Sequence, residues 1–264
     1  MLQEYPKISI VTPSFNQGEF LEETILSILN QNYPNLEYII IDGGSKDNSV
    51  DIIRKYEDKL KYWISESDTG QTNAINKGLK KITGEIWAYL CSDDTYNDKA
   101  LFKVAESFNN NKKIDVLYGN CNWIDEQGRF IRNKKPPVIS YDKLVKDNYL
   151  YQPSMFLSKR VLEKHGFFNE NLHYGMDYEY WLRISKEAVY EYIDDTLSNY
   201  RLHSTSKSVS QLKYMRKEMI RIKKPYGKEL HAKFSYWYYV LLGIRYNQMK
   251  QYFFRNVYNK IIKK

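Results

Sequence analysis

Cysteine is scarce: Cys91 and Cys121 are the only two in 264 residues, and they lie far apart. Their number and spacing exclude a disulfide framework and argue against a thiolate metal site, which leaves two reduced, buried thiols as the expectation. No His and Cys set has zinc spacing. The chain also lacks a G-x-x-x-x-G-K-S/T segment, and "DGGSKD" does not have the G-x-G-x-x-G spacing, so neither the phosphate-loop nor the dinucleotide fingerprint applies. The opening "MLQEYPKISIV" carries an acidic residue where a secretory leader is basic, and its apolar run is too short, which predicts a chain that is not exported and works in the cytoplasm. The aromatic stretch "FSYWYYVLLGI" falls well short of the roughly 20 apolar residues that span a bilayer. Internal repeats and low-complexity segments are absent.

Hydrophobic residues make up 42% of the chain, enough for a real core. The net charge of +8 conceals an asymmetry. Residues 1–206 hold 25 Lys and Arg against 30 Asp and Glu, a net −5, whereas residues 207–264 hold 15 against 2, a net +13, together with Phe234, Trp237, Tyr239 and Phe253. The shift marks a boundary near Lys207 and predicts a basic, aromatic helical extension over 207–264. Such an extension either packs on the body or lies in the interface of an anionic membrane, giving a peripheral attachment with Tyr and Trp at headgroup level. Nucleic acid is not an expected partner, because no recognised motif accompanies the charge and the body is acidic.

Residues 1–125 alternate β-rich runs with helical periodicity. "KISIVT", "YIII", "YWIS" and "IWAYLC" read as strands, and Leu21, Ile25, Ile28 and Leu29 fall on one face of an intervening helix. Asn16 with Glu19 three residues on resembles a capping box, Ile75, Leu79 and Ile82 share a face, and Asp98 reads as the cap of the next helix. Strand, helix, strand, helix is the pattern of a parallel sheet, whose ligands bind beyond the carboxyl ends of the strands. "TPSFNQG", "DGGSKDNS", "SESDTGQ" and "SDDT" all lie at such ends. In residues 126–206 the signal changes: "DVLYGNCNWID" and "RFIR" read as a hairpin, "QPSMFLS" as a strand, "GMDYEYWLRISKE" as a helix, and "YEYID" and "LSNYRLH" as two closing strands.

Asp93 and Asp94 press two like charges together at the end of a buried strand. A solvated turn would tolerate them; a divalent cation bridging phosphate oxygens would give the pair a use, and Mg²⁺ or Mn²⁺ suits a site with one or two carboxylates. Asp42 and Asp68 each stand at a strand end, where a carboxylate either closes an Asx turn or accepts hydrogen bonds from a ribose or base. Gly43 and Gly44 permit close backbone approach.

The ordered set "TPSFNQGEFLEETILSILNQNYPNLEYIIIDGGSKDNS", "SESDTGQTNAINKGL", "YLCSDD" and "QPSMFLSKRVLEKHGFFNENLHYGMDYEYWLR" resembles the family 2 glycosyltransferases, inverting enzymes of the GT-A fold, over about residues 6–205. The resemblance implies an α/β, Rossmann-like, mostly parallel sheet flanked by helices, a nucleotide-binding half at 1–125 and an acceptor-side half at 126–206. It implies that Thr12, Pro13, Phe15, Asn16, Asp42, Asp68 and Gln71 line the donor nucleotide site, that Asp93 approaches the ribose, that Asp94 ligates Mn²⁺ or Mg²⁺, and that Asp177 is the catalytic base. Arg201 and His203 match a late motif that in relatives lies near the diphosphate or metal. The implied partners are a nucleotide-sugar donor, UDP-linked by resemblance, and a glycan or lipid-linked acceptor of cell-surface polysaccharide. Two departures stand out: Ser92 occupies the place of the first acid of Asp-x-Asp, and Met176 the place of a glutamate before the base. Glu179 is the reserve base. A nucleotide-sugar-binding module without chemistry is the alternative.

Overall fold

Runs of Ile, Val and Tyr build the first four strands, β1 (Ile8–Ser14), β2 (Leu36–Asp42), β3 (Tyr62–Ser65) and β4 (Ile86–Tyr89). They pair in parallel, β1 lying between β2 and β4, with β3 outside β2. β1 is buried along its whole length and β2 along nearly all of it. Both are covered on both faces, as parallel strands are, and their buried polar members are partnered: Ser9 donates to Glu37 at 2.7 Å. The computed structural model describes residues 5–207 and 212–226. Helices α1 (Gly18–Leu29), α2 (Ser49–Lys55), α3 (Gln71–Leu79) and α4 (Ala100–Asn110) connect and follow these strands. Leu21, Ile25 and Ile28 of α1 and Leu101, Val104 and Phe108 of α4 enter one core with Ile8, Ile10 and Ile40.

The chain then forms β5 (Thr95–Tyr96), β6 (Val116–Ile124), β7 (Phe130–Lys134), α5 (Tyr141–Lys146), β8 (Met155–Ser158), α6 (Lys159–His165), α7 (Met176–Ile184) and β9 (Tyr190–Arg201). The sheet runs β3-β2-β1-β4-β8-β6-β9-β5, with β7 paired on β6. β8 is antiparallel to both β4 and β6 and so joins the parallel half to a mixed half. β1 and β4 are parallel neighbours, and the strand order reverses at them. The crevice beyond their carboxyl ends is therefore the switch point where such sheets take ligands.

Packing fixes α7 against β4. Trp87 of β4 meets Phe168 and Tyr180 edge to face at 6.2 Å each, and Phe168 lies 4.6 Å from Tyr180. Each such fully buried ring is worth roughly 1.5–3 kcal/mol. Arg183 joins α6 to α7, donating from Nη1 to the His165 carbonyl at 2.5 Å and from Nη2 to the Phe167 carbonyl at 3.0 Å. The segment before α7 is held by α3. Thr72 Oγ1 donates to the Leu172 carbonyl at 2.7 Å, and Asn76 exchanges hydrogen bonds with the Phe168 backbone at 2.9 and 3.1 Å.

Several local expectations are corrected. Asn16 forms no capping box: α1 starts at Gly18 after Gln17, and the Asn16 side chain instead accepts from the Lys46 backbone. Asp98 is not the cap of α4; the residue before that helix is Lys99, with φ 56. Ile82 lies beyond the end of α3. The two closing strands are one, β9, and the two-residue β5 escaped sequence reading. Cys91 is only partly buried.

The chain divides into two compact units, Met1–Leu212 and Lys213–Lys264. A helix, α8 (Leu212–Lys223), starts at the last residue of the first unit and is followed by a short 3-10 turn over Lys224–Tyr226. The aromatic stretch from Phe234 onward, with its expected interfacial placement, lies outside the described residues. No helix among the described residues is long and apolar enough to cross a membrane.

Candidate active site

The loops after β1 and β2 are stitched to each other. Asn16, at φ 51, receives the Ser45 hydroxyl oxygen as acceptor for its N–H at 2.8 Å, and its Oδ1 accepts from Lys46 N at 2.8 Å. Asp47 accepts from Gly18 N at 2.9 Å and Ser49 N at 3.0 Å, tying the start of α1 to the start of α2. Asp42 is buried and accepts from Gly44 N, Ser45 N, Ser45 Oγ and Ser65 Oγ at 3.1, 2.9, 2.5 and 2.6 Å. Those bonds make it the organiser of its own loop, the Asx-turn alternative. Asp68 closes a turn on Gly70 N at 2.7 Å and stands against Gly43, where an added Cβ would come 2.8 Å from its Oδ2. Gly43 is thus the close approach that lets Asp68 reach the same cleft.

The end of β4 gathers the charged groups. Asp94 is 2% exposed, and its Oδ1 accepts from Arg201 N of β9 at 2.9 Å. Burial first, then the neighbouring Asp93, pushes its carboxyl well above the ordinary aspartate range. Asp93 Oδ2 lies 2.9 Å from His203 Nε2, and Thr205 Oγ1 lies 2.8 Å from His203 Nδ1. The His203 ring packs 4.7 Å from the Phe20 ring. Arg201, 1% exposed, runs beneath the pair: Nε donates to the Asp93 carbonyl at 2.9 Å, Nη1 to the Glu126 carbonyl at 3.1 Å, and Nη2 to Glu23 at 2.5 Å.

On the opposite side of this edge, Asp177 sits in the first turn of α7 and accepts from Tyr178 N at 2.7 Å. Its charge reaches the β4 end, because after burial it is the foremost influence raising Tyr89, and it also raises Cys91. Gln71 Nε2 donates to Cys91 Sγ at 3.1 Å, and Lys207 Nζ donates to Gln71 Oε1 at 3.0 Å. Hydrogen bonds and ligand-atom distances therefore bring Gln71, Asp93, Asp94 and His203 to one place, and the charge of Asp177 acts on the same strand end. Thr12 and Pro13 are buried within β1, Thr12 Oγ1 accepting from Tyr38 at 3.1 Å, and Phe15 is 59% exposed. Arg201 supports the pair from below rather than facing the cleft, and His203 holds Asp93 with both ring nitrogens engaged. Sequence reading missed Cys91, Glu23 and Lys207. Lys207 was visible in "YRLHSTSKS" itself, and Cys91 in "LCSDD".

Ligand atoms of Cys91, Asp93 and Asp94 all lie within 4.8 Å of one another. Two Mg–O bonds of about 2.1 Å span about 4.2 Å, so one small divalent ion fits with modest side-chain adjustment. Burial and the two aspartates drive the Cys91 thiol well above its ordinary range, and the two carboxylates offer the oxygen donors that suit Mg²⁺ or Mn²⁺. A buried carboxylate pressed against a second one is the arrangement a cation relieves.

The Glycosyl transferase family 2 model matches residues 9–170, a span that includes Asp42, Asp68 and the Asp93 and Asp94 pair and ends before Asp177. The chain belongs to glycosyl transferase family 2. It is 31% identical over 220 residues to an uncharacterized glycosyltransferase of Rickettsia felis, covering 78% of this chain and 36% of that protein. TuaG of Bacillus subtilis, a glycosyltransferase named for teichuronic acid biosynthesis, is 28% identical over 80% of this chain and 85% of its own. The chain spans about a third of the length of the Rickettsia felis and Rickettsia conorii relatives. Among solved structures, S. aureus TarS 1–349 in complex with UDP-GlcNAc superposes with a TM-score of 0.67 at 19% identity, covering 86% of this chain and 69% of that one. The mannosyltransferase PcManGT of Pyrobaculum calidifontis, in complex with GDP-Man and Mn²⁺, gives 0.62 at 17% identity, with 87% and 69% covered. These likenesses establish the family's GT-A fold for this chain.

Proposed function

We propose that the chain is a metal-assisted, inverting glycosyltransferase that moves a sugar from a nucleoside-diphosphate donor, UDP-linked in the first instance, to a glycan or lipid-linked acceptor of cell-surface polysaccharide. The observation that carries this reading is the close pairing of the Asp93 and Asp94 carboxylates at the end of β4, with the charge of Asp177, in the first turn of α7, acting on Tyr89 and Cys91 beside them. Fold neighbours that hold UDP-GlcNAc, or GDP-Man with Mn²⁺, support the donor class.

In this reading Gly43, Asp68 and the loops after β1 and β2 shape the nucleoside pocket, and Gln71, positioned between Cys91 and Lys207, borders the diphosphate. Asp94, with Asp93, would hold Mn²⁺ or Mg²⁺, which supplies positive charge beside the departing diphosphate. Asp177 takes the proton from the acceptor hydroxyl. The acceptor oxygen bonds to the anomeric carbon as the carbon–oxygen bond to the diphosphate breaks on the opposite face, the diphosphate leaving with the electron pair, so the configuration inverts. Met176, buried at the start of α7, would exclude water beside the base. The basic tail would hold the enzyme at an anionic membrane surface.

The test is a panel of nucleotide sugars with Mn²⁺, read by thermal stabilisation and by transfer. Asp94→Ala abolishes metal-dependent stabilisation by UDP. Asp177→Asn keeps that stabilisation and slows turnover by about 10²–10⁴-fold, the usual contribution of a general base. Full turnover in Asp177→Asn would refute the assignment of the base, and no metal-dependent response to any nucleotide would refute the reading as a whole.

A further inference from the structure

The hairpin of β6 and β7 carries four cations that are treated in two ways. Arg129 pairs with Asp125 at 2.7 Å and Lys135 with Asp194 at 2.6 Å. Arg132 and Lys134 have no carboxylate partner among the described residues. They stand instead over the Trp123 ring, the guanidinium carbon 4.2 Å and the ammonium 4.6 Å from its centroid. Cations held over an aromatic face keep their charge while their motion is restricted.

The register places this cluster beside the active site. Trp123 is opposite Arg132 on one side and opposite Tyr200 on the other, with the two rings 6.1 Å apart. Tyr200 directly precedes Arg201, whose N–H donates to Asp94. Strand alternation turns Tyr200 and Trp123 to the face of Ser198 and Cys121, and Ser198 bonds Ser154 at 2.5 Å. On that face Arg132 acts on Tyr151, and the next residue, Gln152, donates from Nε2 to the Tyr89 carbonyl at 2.7 Å. Tyr89 is the group that feels Asp177. Asn133, between the two cations, turns to the other face and bonds Asn122 at 2.9 Å. Sugars stack on aromatic faces, and two unpaired cations above such a face suit an anion.

We propose that Trp123, Arg132 and Lys134 form a subsite for an anionic group, a phosphate or a carboxylate, on the saccharide acceptor. This deepens the transferase reading and rests on it for the word acceptor. The bound glycan lays a ring beside the cluster, against Tyr200, while its anionic substituent meets the Arg132 and Lys134 groups held over Trp123, which directs a neighbouring hydroxyl toward Asp177.

The test titrates the full chain at fixed ionic strength with dextran, polygalacturonate and phosphorylated dextran, and separately with phosphatidylglycerol vesicles. The expected result is that the double variant R132Q/K134Q binds one or both anionic glycans about tenfold more weakly than R129Q/K135Q does, the loss of two exposed charge contacts. UDP binding and the unfolding midpoint stay unchanged, and R132K/K134R retains glycan binding. The basic tail is common to every variant, so the difference isolates the hairpin. Comparison of the two glycans tells carboxylate from phosphate. No anionic glycan bound by the unaltered chain, an equal loss in R129Q/K135Q, or a loss confined to the vesicles would overturn the proposal, the last in favour of a lipid surface. Absence of UDP binding by the unaltered chain would instead overturn the transferase reading.

Discussion

Asp42 and Asp94 both belong to carboxyl ends of the parallel half of the sheet, yet their hydrogen bonds run to different parts of the chain. Asp42 is satisfied by Gly44, Ser45 and Ser65, and the loop after β1 by residues of the β2 loop. Asp94 and Asp93 are held by Arg201 and His203, 107 and 110 residues further on, and Arg201 reaches back 178 residues to Glu23. The Asp42 side combines local turns with bonds to loops 23 to 30 residues away, all within the first parallel strands. The supports of Asp93 and Asp94 come from the end of β9 and just beyond it, with β9 laid beside β6 and β5.

The sharpest way to break that comparison is Arg201→Ala. It leaves a cavity and strands the Asp93 and Glu126 carbonyls without donors, and it removes the partner of Glu23. Loss of one member of such a buried polar network costs about 3–5 kcal/mol, read as a fall in the urea midpoint, and metal binding falls with it because the aspartates lose their support. A mild Arg201 variant would mean that β9 does not organise the pair. Asp42→Ala comes next. It removes the acceptor of several loop donors, some open to water, so about 1–3 kcal/mol is expected, with nucleotide affinity reduced and the response to metal alone unchanged. Equal loss of both responses would mean that the two sides are not separable.

The same contrast decides what could be read without coordinates. β1 to β4, the apolar faces of α1 and α4 and the polar loops at the strand ends were legible because each is written in a few adjacent residues. Asp93, Asp94, Asp177, Arg201 and His203 were all named from motifs, which carry no information on what each side chain touches. The contacts of Arg201 and His203 were not legible: a basic residue in a strand gives no sign that it will be buried with its donors directed to Glu23 and to backbone carbonyls of the hairpin turn. Asn16 and Asp98 misled for a related reason. Both are good caps by type, but Asn16 is drawn into the neighbouring loop and the residue before α4 is a left-handed Lys99. Tertiary bonds overrode local preference at both places. β5 is only two residues long, below what alternation can signal, and its partner lies 104 residues away in the Asn199 to Thr95 bond.

The smallest expected effect tests which carboxylate of α7 acts. Glu179 follows Asp177 by two residues, which on a helix turns it to a different face. It makes a two-pronged pair with Arg183, Oε1 accepting from Nε at 3.1 Å and Oε2 from Nη2 at 2.9 Å, with the two side chains 21% and 29% exposed. Arg183 keeps its bonds to the His165 and Phe167 carbonyls and its place 4.7 Å over the Tyr180 ring whether or not Glu179 is charged. Glu179→Gln therefore costs at most about 1 kcal/mol of stability and leaves turnover within about twofold of the unaltered chain. Comparison with Asp177→Asn under the same donor then separates the residues by rate alone. If Glu179→Gln were the slow variant and Asp177→Asn the fast one, the base would lie on the Arg183 side of α7. The acceptor would then have to approach from the α6 edge rather than from the Trp123 hairpin.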